Sequence, residues 1–158
     1  MKKMRRHDRE ITDLHEIESI LEKAEVCSVG LVDRDKPYVV ALNFGYENNG
    51  QPRLWFHGAG KGRKLDIIDR NPSAFFQVDT DHKLVTAEEA CDFTMLYRSV
   101  TGSGKITIVQ DREEKIHGLN VIMKHYTGHS DFIFEEPMLN KTTVFRLDID
   151  EMTGKRKK

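Results

Sequence analysis

The sequence predicts a mainly β fold, an antiparallel barrel of about six strands flanked by about three helices. Three observations point there. Short apolar runs are separated by tight-turn chemistry, most plainly Asn48-Asn49-Gly50, where Asn and Gly accept positive φ cheaply. A long strand-like segment, 93–109, is interrupted only at Gly102 and Gly104, as a bend or bulge in a closing sheet requires. Three other segments carry helical periodicity in place of alternation.

The elements follow in order. Leu14, Ile17, Ile20, Leu21 and Ala24 recur three or four apart, which makes 13–24 a helix with one apolar face. Asp13 with Glu16 three residues on forms a capping-box pattern. Residues 27–32 are short and β-branched, 33–36 form a polar turn, and Pro37 opens a long strand over 38–46. After the Asn-Asn-Gly turn the chain returns over 53–57, giving a three-strand meander. The glycine-rich stretch 58–64 breaks the sheet. A short helix follows with Leu65, Ile67 and Ile68 as its apolar contacts, and Asn71-Pro72 ends it. Residues 74–78 are another strand, and the polar 79–90 reads as a loop or a fragment of helix. The third helix, 112–126, carries the stripe Ile116, Leu119, Ile122, Met123 and Tyr126, with Gly128 where a C-terminal cap belongs. The last strand, 142–149, alternates Val144, Phe145 and Leu147 with Arg146 and Asp148. No repeat or linker intervenes, so one domain is expected over 1–158. A barrel this narrow fills with its own side chains. A large ligand must then bind in a groove outside it or between subunits.

Composition narrows the function classes. The formal net charge of −1 gives no footprint for a nucleic-acid partner. Basic residues collect at 2–9 and 155–158, which are expected to be solvated, disordered tails; a contact with an anion or a partner chain is the alternative. The N-terminus lacks the apolar core of a signal peptide, and no run approaches a membrane span. Cys27 and Cys91 have no neighbouring cysteine, so both are expected to be reduced, buried thiols and no zinc site is expected. Together these place the protein in the cytoplasm.

The segment richest in chemistry is Phe56-His57-Gly58-Ala59-Gly60-Lys61-Gly62-Arg63-Lys64-Leu65, which runs strand, glycine turn, helix. Glycines let backbone amides approach an anion, and a helix N-terminus adds positive potential. Arg63 and Lys64 fall in the first helical turn, where cations oppose the helix dipole. Facing a bound phosphate would justify that placement; a surface loop with solvated cations is the other reading. Glycines at 58, 60 and 62 after an antiparallel meander do not make a dinucleotide fingerprint. Gly102-Ser103-Gly104-Lys105 fails the P-loop pattern at both ends.

Several pieces in fixed order carry a resemblance. They are Met4-Arg5-Arg6-His7-Asp8-Arg9-Glu10-Ile11, the strand from Pro37 through Asn43-Phe44-Gly45-Tyr46, Phe56-His57-Gly58-Ala59 through Lys64-Leu65, and Asn71-Pro72. Tyr97-Arg98-Ser99-Val100 with Gly102 and Gly104, Glu114-Lys115, and Thr153-Gly154-Lys155 complete the set. In this order the chain resembles the pyridoxamine-phosphate-oxidase-like, FMN-binding split-barrel superfamily, and within it the nitroimidazole-resistance (Nim-type) branch. The resemblance implies a six-stranded split barrel and a homodimer with FMN, or alternatively FAD, at its interface. It implies a flavin-dependent reductase that takes electrons from an external donor and passes them to a small acceptor such as a 5-nitroimidazole. A non-catalytic flavin or haem binding module is the alternative it leaves open. The flavin phosphate would fall to Gly62, Arg63 and Lys64. The isoalloxazine ring would lie along Val40, Ala41, Leu42 and Asn43, over a floor of Phe56, His57, Gly58 and Ala59. Tyr97, Ser99 and Val100 would come from a neighbouring strand, in the same or the other subunit. The oxidase proper has an arginine near the start of the long strand. Here Val39-Val40 stand in that region, which argues against pyridoxamine-phosphate oxidation.

His57 is the candidate catalytic residue. It ends a strand beside the glycine turn, and imidazole exchanges protons near neutral pH. The plainer role is a hydrogen bond to cofactor or backbone. His125 and His129 have helical metal-pair spacing, but Gly128 should end the helix between them, so no metal is expected. Trp55 and Phe56 alternate, so one faces the barrel core and the other its outside.

Overall fold

The computed structural model describes residues 5–157. Eight strands form one antiparallel sheet: β1 (Glu10–Ile11), β2 (Cys27–Asp33), β3 (Lys36–Leu42), β4 (Phe44–Asn48), β5 (Pro52–Ala59), β6 (Ser73–Val85), β7 (Thr94–Ile108) and β8 (Thr142–Lys157). Four α-helices accompany them: α1 (Leu14–Lys23), α2 (Arg63–Arg70), α3 (Arg112–Thr127) and α4 (Glu136–Lys141). The strand order is β3-β2-β6-β7-β8-β5-β4, with β1 added on β8. The two edge strands, β3 and β4, are consecutive in the chain and separated only by Asn43. The sheet therefore curls until its edges meet at Asn43, yet no ladder joins them. That is a split barrel.

Alternation sets the core. Cys27, Val29 and Leu31 of β2 point inward with Phe76 and Val78 of β6, Leu54 and Phe56 of β5, and Phe145 and Leu147 of β8. Phe44 and Phe56 sit opposite each other in the ladder, as do Phe56 and Phe145, whose rings stack at 5.3 Å. Ile17, Ile20 and Leu21 of α1 and Leu65, Ile67 and Ile68 of α2 join this core. A second cluster lies outside the barrel, where α3 and α4 cover Trp55 and Val144 with Leu119, Ile122 and Leu139. Phe56 is thus the inward member of the Trp55–Phe56 pair. Trp55 is committed to α3, and its indole N–H donates to Glu47 Oε1 at 2.7 Å.

The helix signals hold closely. Asp13 caps α1 by accepting from the His15 amide, but Glu16 does not complete the box and instead pairs with Arg156. Asp111 caps α3, and Gly128 closes it with φ of 77°.

Several expectations are corrected. The strand expected over 38–46 is two strands, because β3 pairs with β2 and β4 with β5. That division and the short β1 raise the count from six to eight. The polar segment after Val78 is not a loop at its start: β6 runs on to Val85, paired with residues 94–99 of β7. A bulge between Thr80 and Lys83 permits this, with Asp81 at φ of 58° held by Lys23 and Arg98. The basic ends are not free tails within the described residues. Glu10 and Ile11 pair with Lys155 and Gly154, and β8 continues to Lys157 along β7. Met4, the rest of 1–4, and Lys158 lie outside the described residues. Near Gly104 the β7–β8 register shifts as expected of a bulge, leaving Asp150 without an opposite residue. Cys27 is buried, but Cys91 is exposed on a one-turn helix, Ala90–Asp92.

Candidate cofactor site

The strand-turn-helix segment is built as its residue types dictate. β5 ends at Ala59, and α2 begins at Arg63 with Gly62 as its N-cap at φ of 142°. That φ favours glycine. The first bonds of α2 run from the Leu65 and Asp66 amides to the Gly62 carbonyl. The Arg63 and Lys64 amides precede them and have no intrahelical acceptor. A Cβ on Gly58 would stand 2.9 Å from Lys64 Nζ, so the lysine folds back over the end of β5. Two open amides, an ammonium group and a guanidinium group thus meet at one helix end.

Arg63 is not loose in solvent. Its Nε and Nη2 donate to Asp33 Oδ2 at 3.2 and 3.1 Å, and its guanidinium lies 4.9 Å over the Tyr38 ring. Asp33 Oδ1 accepts from Arg70 Nη2 at 3.0 Å. Burial raises the Asp33 carboxyl's pKa, but Arg63 and Arg70 outweigh it and hold the group below the usual carboxylate range. Sequence reasoning missed Asp33, Tyr38 and Arg70. The signal for Asp33 was present as a charged turn at a strand end, but its partners lie far along the chain.

The other candidates do not gather in one place on the chain. Gly58, Gly62, Arg63 and Lys64 come together. His57 is exposed on the opposite face of β5 from inward-pointing Phe56, beside Ala59. The Phe56 and Val100 side chains are fully buried in the core, so only their backbones can meet a cofactor. Val40 and Leu42 pack inward against the core, whereas Ala41 is exposed outward. The Asn43 side chain donates to the Tyr126 hydroxyl at 3.1 Å. Tyr97 and Ser99 share the outer face of β7, where Tyr97 is opposite Lys157 and Ser99 opposite Lys155. His57 is opposite Val144 near the other end of β8. Lys155 Nζ stands 5.8 Å from the Tyr97 ring centre. Burial raises the Tyr97 phenol's pKa, but Lys155 and Arg9 outweigh it and leave the phenol below its ordinary value.

A cavity of about 590 Å³ lies elsewhere, between α1, α3 and β4. Glu18, Glu22, Glu47 and His117 line it. Its three carboxylates outnumber the one ammonium, of Lys124, so its charge disfavours a phosphate. His125 is not placed for a metal pair, since its Nε2 lies 2.7 Å from the Ala24 carbonyl. Among the described residues no group of His, Cys, Asp and Glu is arranged to hold a metal ion, and no helix is long and apolar enough to cross a membrane.

Residues 13–156 match the family model described as pyridoxamine 5'-phosphate oxidase. A candidate 5-nitroimidazole antibiotic resistance protein from Bacteroides thetaiotaomicron is similar at 37% identity and a TM-score of 0.81, over 93% of this chain and 86% of that one. A flavocytochrome from Azotobacter vinelandii shares the fold at 22% identity and a TM-score of 0.81, over 99% of this chain and 72% of that one. An FAD and haem binding protein from Mycobacterium smegmatis shares it at 19% identity and 0.80, over 95% and 74%. No curated protein sequence matches the chain significantly.

Proposed function

The chain belongs to the pyridoxamine 5'-phosphate oxidase family, and from that premise we propose that it is a homodimeric flavin-binding oxidoreductase acting on a small acceptor, a nitroaromatic such as a 5-nitroimidazole. One observation carries the reading: the N-terminus of α2 presents two open amides beside Lys64 and Arg63. That donor set fits the phosphate of FMN, or the nearer phosphate of FAD. The cofactor would supply the two-electron chemistry; the chain supplies position and charge.

The protein groups have separable tasks. Lys64, Arg63 and their amides hold the anion. Ala41 and the backbone at Phe56 and Gly58 offer flat, small surface to a planar ring. His57 holds an exchangeable proton on an exposed imidazole at the end of β5. Tyr97 and Ser99 lie too far along β8 to join His57 within one protomer, and a second copy would bring them in. The outer sheet face supports that pairing. Val39 is 68% exposed and Phe75 47%, and both flank Gly30 in the ladder, which makes an apolar strip across three strands.

The test is Arg63→Ala with Lys64→Ala. Two charge-assisted bonds at about 1.5 kcal/mol each, the low end because Arg63 is exposed, weaken FMN about 100-fold. Fluorescence titration with FMN reads this, and unchanged affinity would refute the phosphate role. Turnover is read separately: bound flavin should bleach with a nicotinamide donor and recover on adding a 5-nitroimidazole. Flavin that binds but never cycles would favour a carrier.

A further inference from the structure

We propose that Asp33 is a positioning residue for the phosphate grip, holding Arg63 and Arg70 in place before the anion arrives. The inference rests on the flavin reading above. Asp33 ends β2, and its carboxylate reaches both ends of α2 at once. Oδ2 takes Nε and Nη2 of Arg63, from the first residue of the helix, and Oδ1 takes Nη2 of Arg70, from the last. Arg70 is tied a second time, by Nε to the Asp66 carbonyl at 2.9 Å. Beneath Arg63 lies the Tyr38 ring, a cation–π support.

The geometry separates positioning from competition. A guanidinium has five N–H donors in a fixed fork. Asp33 occupies the Nε side of Arg63, so both hydrogens of Nη1 and one of Nη2 stay free along the outer edge. Arg63 lines a pocket of about 370 Å³ together with Asp33, Arg34, Asp35, Lys36 and Arg70. Asp33 itself keeps Arg70 whatever Arg63 does, so its charge is never left bare. Four cations against the carboxylates of Asp33 and Asp35 leave net positive charge for an anion. Arg63 is 59% exposed, and without Asp33 and Tyr38 it would sample many rotamers and move off the positive helix end. Holding it in advance removes an entropy cost from binding.

The experiment compares FMN with riboflavin, which lacks the phosphate, by fluorescence titration of the wild type, Asp33→Asn, Asp33→Glu, Arg63→Ala and the double variant D33N/R63A. The expected result is FMN binding weakened about tenfold in D33N with riboflavin unchanged. It is partly restored in D33E, and the Asn change has no further effect once Arg63 is gone. FMN binding that is equal or tighter in D33N overturns the proposal, the tighter case marking Asp33 as a competitor. Equal weakening of both flavins also overturns it, as a general structural effect. A wild type that binds neither flavin defeats the flavin reading itself and this inference with it.

Discussion

Replacing Gly118 with alanine tests how tightly α3 is locked to the barrel. In an exposed helix interior that change stabilises by about 1 kcal/mol, through propensity. Here a Cβ would press on the Trp55 ring, standing 2.7 Å from its Cζ3 and 3.0 Å from Val144 Cγ1. The ring cannot yield. It is 1% exposed, its N–H is held by Glu47, and His117 stands edge-on to it at 5.4 Å. The helix must therefore retreat, loosening Leu119 and Ile122. Overpacking against a rigid wall belongs at the upper end of its range, about 3 kcal/mol. The net expectation is a loss of about 2 kcal/mol, or a fall in Tm of about 4–8 °C for a domain of this size. Urea denaturation followed by fluorescence of Trp55, the single tryptophan, reads it directly. Gly60→Ala is the control, since its Cβ would meet nothing closer than 3.8 Å, and should stay within about 0.5 kcal/mol of the wild type. A G118A protein as stable as the wild type would refute the packing argument.

Two further predictions concern ionisation. Asp8 is held at about 2 by Arg6, Asp81 is held down by Lys23 and then Arg98, and Asp33 by its two arginines against its own burial. Folded values below the ordinary 3.8 mean that the unfolded chain takes up protons first as pH falls. These groups' contribution is therefore intact above about pH 4 and is lost as the pH drops toward 2. Melting curves across pH 6 to 2 should decline from near pH 4, gently because these pairs are solvent-screened, and a flat profile there would contradict the pairings. Burial pushes the Cys27 thiol up to about 12, whereas Cys91 is exposed. Iodoacetamide at pH 8 should add once to the native protein, at Cys91, and twice after urea, as read by peptide mass spectrometry. Two adducts on the native chain would show that the barrel interior opens.

Much of this protein was legible in the sequence because the signals are local. The α1 periodicity, the Asp13 cap, the Gly128 cap and the Asn48-Asn49-Gly50 turn each act within a few residues. The glycine turn before α2 was legible for the same reason, since Gly62 and the two cations sit side by side. The resemblance to flavin split barrels added the expected roles along the strands.

What only the tertiary structure decided concerns partners far apart in the chain. The polar end of β6 and the basic end of β8 carry no apolar alternation, yet both are strands. Their backbone groups are satisfied by β7, and those of β8 on its other side by β1. Backbone pairing needs no apolar side chain when a neighbouring strand is already in place. Asp33 and Arg63 meet across the β2–α2 packing, and no pattern along either segment names the other. The sequence by itself determined three of the four α-helices, the turns and the glycine-led start of α2, whereas α4 carries no periodic signal of its own. The folded barrel decided which strands are long, which charges are already paired, and that His57 and Tyr97 lie beside opposite ends of β8, because ladder register and ion pairing depend on distances that a linear chain does not contain.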